Sequence, residues 1–181
     1  WRIDIFFAAL DRLVKQNAVN ADNFRFRYCG PNAEWVRREA ESWAVRDLVT
    51  IDDVVPREDA LSWQMGADVI LHLTWPQEEK GFYSGKIFEA LYARRNILAI
   101  PGDRDVVDEL LARSKAGVSL ATPEDVARQI QEWIRQKADN GSVIYRGLDA
   151  EIRKYDRRNI VRDLAALLDR ISLDDRDQRD G

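Results

Sequence analysis

Five short apolar runs, each followed closely by a stretch of helical period, leave this chain few folds to choose from. The runs are Phe24–Tyr28, Leu48–Val55, Asp68–Leu73, Ile97–Ile100 and Gly117–Leu120. Helical patterns occupy Ile3–Gln16, Ala33–Ala44, Pro56–Gly66, Gly85–Arg94, Asp103–Ser114 and Thr122–Lys137, with proline at or near the helix start at Pro56 and Pro123. Strands alternating with amphipathic helices on short connections predict an α/β fold, a doubly wound, Rossmann-like parallel sheet with helices on both faces. A last helix, Arg153–Ile171, places Ile160, Leu164, Leu167, Leu168 and Ile171 on one stripe, and residues 172–181 read as a charged, disordered tail. Residues 1–171 are therefore expected to be one domain. An α/β unit that opens on a helix is expected to have its first strand upstream, so the chain reads as an excerpt of a longer protein.

Within this pattern the segment Gly81-Phe82-Tyr83-Ser84-Gly85-Lys86-Ile87-Phe88-Glu89 carries the most chemistry. It leaves a strand end through a loop with two glycines and opens a helix with Lys86 in its first turn. Unpaired backbone N–H groups and the positive end of the helix dipole make such a start receptive to anions, and Lys86 adds a full charge. Glu89 follows three residues later on the same helix face, where its carboxylate can accept two hydroxyl hydrogen bonds. A phosphate partner beside a diol partner suits a nucleotide. Ile87, Phe88, Leu91 and Tyr92 are expected to fill the packed face, with Ala90 and Ala93 beside the charges. Lys86 and Glu89 on an exposed helix are also what an ordinary surface ion pair looks like.

The remaining residues mostly exclude functions. The net charge of −4 argues against a nucleic-acid binder, which needs a clustered basic surface. No run approaches the length of a membrane span, and no signal-peptide pattern is present. Cys29 is the only cysteine and His72 the only histidine, so neither an internal disulfide nor a Cys/His zinc site is available. Cys29 ends an apolar strand and reads as a small buried hydrophobe, and His72 reads as a packed strand residue. Trp75 and Tyr83 flank the glycine loop as packing groups or as a platform for a ligand.

In the order and spacing of its motifs the chain resembles the carboxy-terminal, donor-binding domain of GT-B glycosyltransferases of the family 4 type. The resemblance covers about Trp1 to Ile171. It rests on Val49-Thr50-Ile51-Asp52-Asp53-Val54-Val55-Pro56-Arg57-Glu58-Asp59-Ala60, Ala67-Asp68-Val69-Ile70-Leu71, Gly85-Lys86-Ile87-Phe88-Glu89-Ala90-Leu91, Asn96-Ile97-Leu98-Ala99-Ile100, Ala116-Gly117-Val118 and Tyr155-Asp156-Arg157-Arg158. It implies an enzyme that transfers a sugar from a nucleotide-diphosphate donor to a glycan or lipid-linked acceptor held by a missing amino-terminal domain, as in polysaccharide biosynthesis. By the same resemblance Ser84, Gly85 and Lys86 hold the diphosphate and Glu89 the ribose. The base lies near Val54, Val55 and Arg57, with Gly30-Pro31 close by. No metal or other cofactor is implied, and the location is cytoplasmic, with contact to the inner membrane surface through the missing part.

One position departs from the family pattern. A first glutamate, eight residues before the second, contacts the donor hexose in that family; here Gly81 stands there, behind Lys80. Glu79 substituting through a loop shift and a sugar held in another way are both open. Asp103-Arg104-Asp105 has a metal-binding spacing but reads as a helix start. The alternative class is a non-catalytic nucleotide-binding domain, or a receiver-like signalling domain with its phosphoacceptor at Asp52 or Asp53.

Overall fold

The computed structural model describes residues 2–75 and 80–177. The chain forms two compact units, Trp1–Gly147 and Leu148–Gly181. The first contains α1 (Ile3–Lys15), β1 (Phe26–Cys29), α2 (Ala33–Glu41), β2 (Val49–Asp52), α3 (Arg57–Gly66), β3 (Val69–Leu73), α4 (Gly85–Tyr92), β4 (Asn96–Ile100), α5 (Val106–Ser114), β5 (Gly117–Ser119) and α6 (Pro123–Asn140). The second contains α7 (Asp149–Ile152), a 3-10 turn at Arg153–Tyr155 and α8 (Arg157–Asp177).

The strict alternation is the one the apolar periodicity requires, and every strand pairing is parallel. The ladders, however, form two sheets rather than one, in the orders β1-β2 and β3-β4-β5. Phe26 lies opposite Val49 in the first, and Val69 opposite Asn96 and Ile97 opposite Gly117 in the second. The two sheets nevertheless belong to one layer. Alternate residues of all five strands (Phe26, Ile51, Leu71, Leu98 and Val118 among them) face one core shared with α1 and α6. Phe6 and Phe7 of α1 stack around Phe26 with ring centroids 4.9 and 6.1 Å apart. All five residues of β4 are buried, as expected for a strand with neighbours on both edges and helices on both faces.

Local signals set the helix ends. Thr122 Oγ1 accepts from the Asp125 amide at 3.2 Å, Pro123 occupies the first turn of α6, and Gly141 closes it in the left-handed region at φ 74°. The last helix departs from its expected span: α7 and the 3-10 turn precede it, and α8 runs on to Asp177. Its apolar stripe is exposed, from Ile160 through Leu164 and Leu168 to Ile171.

Candidate functional site

Parallel strands that share a direction bring their carboxyl ends to one edge of the layer, and the loops leaving those ends meet there. Ser84 caps α4, its hydroxyl accepting from the Lys86 amide at 3.4 Å. Lys86 is thereby held in the first turn, where its Nζ donates to Glu89 Oε2 at 2.8 Å. Across the gap, Arg57, the first residue of α3, donates from Nη2 to the other oxygen, Oε1, at 3.4 Å. Two cations thus bracket one carboxylate. Glu89 is the inner member, with a side chain 25% exposed, whereas Lys86 and Arg57 are about three-quarters exposed. The hydrogen bond from Lys86 does most to hold the Glu89 carboxyl below its ordinary range; partial burial opposes it, and the two positive charges assist.

The end of β1 belongs to the same neighbourhood. Burial pushes the Cys29 thiol above its ordinary value, while the charges of Arg27 and Lys86 pull it down and Asp52 pushes it up. Cys29 is half-buried rather than buried. Arg27 donates to Asp52 at 2.9 Å, and its guanidinium carbon lies 3.3 Å from the centre of the Trp63 ring. Gly30 follows under the Tyr28 ring, whose hydroxyl is 3.0 Å from where a Cβ would stand. Val55 is half-buried at the entry to α3.

The loop before α4 is latched to the next strand end. The Gly81 amide donates to Asp105 Oδ2 at 2.6 Å and Lys80 Nζ to the Asp103 carbonyl at 3.2 Å. Gly81 adopts φ +83°, a left-handed conformation that favours glycine. Nothing lies within 4 Å of a Cβ built at Gly81 or Gly85, so the backbone at both is open to close approach. Glu79 lies outside the described residues. Tyr83 packs on Phe88 at 5.4 Å.

Two expectations change at this edge. Ala90 and Ala93 are buried rather than beside an open ligand face, and Tyr92 is exposed. The inward positions of α4 are Ile87, Ala90 and Leu91, at spacings of three and four, and a small residue there lets the helix lie close on the sheet. Helix α5 starts at Val106 rather than Asp103, with Asp105 at its cap position, and the Asp103 carboxylate accepts from the amides of Asp105, Val107 and Asp108. Among the described residues, no three His, Cys, Asp or Glu side chains gather as a metal set.

Sequence reading missed the latch at Asp103 and Asp105, and Thr74 just beyond β3, whereas His72 is packed in its strand as expected. His72 and Thr74 are buried, and the Thr74 hydroxyl has no hydrogen-bond partner. The available signal for Thr74 was its position at a strand end, next to the loop already singled out.

No protein-family description matches this sequence, and no curated protein matches it. Among solved structures the fold is similar to that of WaaG, a glycosyltransferase involved in lipopolysaccharide biosynthesis, with a TM-score of 0.56 and 18% identity. The likeness covers 76% of this chain and 35% of that one, so the chain corresponds to about a third of that protein's length. Among the described residues, no helix is long and apolar enough to cross a membrane.

Proposed function

We propose that this chain is the donor-binding half of a nucleotide-sugar-dependent glycosyltransferase, acting on an acceptor held by a further domain. The observation that carries the reading is the Arg57–Glu89–Lys86 constellation at the capped start of α4, over a glycine that leaves the backbone approachable. The likeness to WaaG supports it at the level of fold.

The chemistry follows from what an incoming ligand does to that ion triad. A diphosphate takes Lys86 away from Glu89 and receives the α4 amides, Lys86 supplying a charge-assisted hydrogen bond. Glu89 keeps Arg57 as a neighbour and turns its free lone pairs to the two ribose hydroxyls. The carboxylate is held ionised by its cations, as an acceptor of two hydroxyls must be. Lys86 and the amides at the start of α4 meet the diphosphate with protein groups alone, and we propose that binding needs no divalent metal. We propose that the base lies near Val55 and Gly30. The role of Glu79 or Gly81 toward the sugar belongs to the same proposal.

The receiver-like alternative gains no support here: Asp52 is paired with Arg27, and Asp53 stands at the surface 3.9 Å from Arg37. Calorimetry with UDP and GDP, in the presence and absence of EDTA, tests the reading. Binding should be unchanged by EDTA and weakened about ten- to a hundredfold by Lys86→Ala, from the roughly 1.5–3 kcal/mol of a charge-assisted bond. An absolute need for metal, or a Lys86→Ala variant that binds as the parent does, contradicts it.

A further inference from the structure

The turn into α5 carries three carboxylates, and the structure uses them unequally. Both oxygens of Asp103 are taken: Oδ1 accepts from the amides of Asp105 and Asp108, and Oδ2 from that of Val107. Both oxygens of Asp108 are taken as well, by the amides of Asp103 and Arg104 and by the Ser119 hydroxyl. These bonds make the turn a fixed frame. Asp105 differs. Its Oδ2 accepts from the Gly81 amide at 2.6 Å, and among the described residues its Oδ1 has no partner. A carboxylate pinned by one oxygen, with the other open, is an acceptor of set direction.

Asp105 borders the same cleft, of about 1190 Å³, as Thr74, Lys80, Ser84 and Lys86. Thr74 is an independent sign that this end of the cleft receives a ligand. It is only 4% exposed, and its hydroxyl has no hydrogen-bond partner among the described residues. A buried hydroxyl left unmet is costly and calls for a partner. Gly81 and Gly85 are four residues apart, at most roughly 14 Å of chain. The Asp105 carboxylate held on Gly81 is therefore within the length of a nucleotide sugar from the start of α4, where the proposed diphosphate lies.

The chemistry selects the kind of sugar. A carboxylate and a hydroxyl match the hydroxyl groups of a neutral hexose, whereas the carboxylate of a uronic acid would meet a like charge. Lys80, the basic side chain beside them, is engaged at the Asp103 carbonyl, 3.2 Å away. We infer that Asp105 and Thr74 read the sugar of the donor: Asp105 Oδ1 accepts from a hydroxyl of a neutral hexose carried on the diphosphate, and the Thr74 hydroxyl bonds the same ring. This deepens the nucleotide-sugar reading proposed above and rests on it.

Calorimetry on residues 1–181 tests the inference with matched ligands: UDP, UDP-glucose and UDP-glucuronate, and GDP, GDP-mannose and GDP-mannuronate. The parent should bind the neutral sugar nucleotide of one base at least tenfold more tightly than its uronate. Asp105→Asn keeps an oxygen for the Gly81 amide. It should weaken the neutral sugar nucleotide about ten- to a hundredfold, the range of a charge-assisted hydrogen bond, and leave the bare nucleoside diphosphate within twofold. The gap to the uronate should close. Thr74→Val, nearly the same shape without the hydroxyl, should unfold no earlier than the parent yet lose roughly three- to tenfold toward the neutral sugar nucleotide. Parent affinities that do not distinguish neutral from acidic sugars overturn the inference. So do variants that keep the parent's affinity for sugar nucleotides, or that lose UDP and UDP-glucose alike. The two readings fail separately. UDP and GDP binding that depends on Lys86, with no effect of Asp105 or Thr74 on the sugar, sinks only the sugar assignment; absence of UDP and GDP binding sinks both.

Discussion

His72 shows how a single buried group ties stability to pH. Burial lowers its pKa from the ordinary 6.5, and the Asp103 charge opposes this in part. The unfolded chain therefore binds a proton at a pH where the folded chain does not, so stability is full above about 6.5 and is lost as pH falls through the window below it. Thermal unfolding of the parent should weaken between pH 7 and 5. His72→Gln should flatten that slope, and equal slopes in both proteins would contradict the burial argument. Lys86 and Glu89 behave differently. Lys86 is exposed although Glu89 is not, and an ion pair of this helix spacing contributes only about 0.5 kcal/mol, so substitutions there should be read in ligand binding far more than in stability.

At the scale of elements, the start of α4 separates a structural role from a binding role. Gly85 has an ordinary φ, and nothing lies within 4 Å of where a Cβ would stand, so Gly85→Ala reduces the freedom of the unfolded chain without a clash. It should stabilise the fold by about 0.4–1 kcal/mol. If a diphosphate approaches the backbone here, the added methyl group stands in its way, and affinity for UDP or GDP should fall several-fold. Paired unfolding and calorimetry measurements check both halves; a gain in stability with unchanged affinity would move the ligand off this turn.

At the scale of the molecule, the alternation of short apolar runs and helical patterns is enough to read an α/β layer, because each element's pattern is local. The split between β1 and β3 is not legible in the sequence, since strand adjacency is set by tertiary pairing. Lys86 and Glu89 can be paired from their spacing of three. Arg57, 32 residues before Glu89, and the latch from Gly81 to Asp105 depend on where strand ends converge. The alanines of α4 mislead because residue size alone assigns them to the open face, whereas small residues at Ala90 and Ala93 mark the close contact. The chain spans about a third of the length of WaaG, and on the proposed reading its reaction centre needs the acceptor domain to close over the donor and exclude water. Residues 1–181 with donor and acceptor should therefore show donor binding but no sugar transfer in a product assay; robust transfer would refute the two-domain reading.

The central claim is that Glu89 reads the ribose while Lys86 holds the diphosphate, and the most direct measurement is the affinity ratio between UDP or GDP and its 2′-deoxy form. The parent should prefer the ribonucleotide clearly. Glu89→Gln, which keeps the size but removes the carboxylate, should weaken the ribonucleotide and nearly erase that preference. An unchanged ratio in Glu89→Gln, or no preference in the parent, would contradict the assignment.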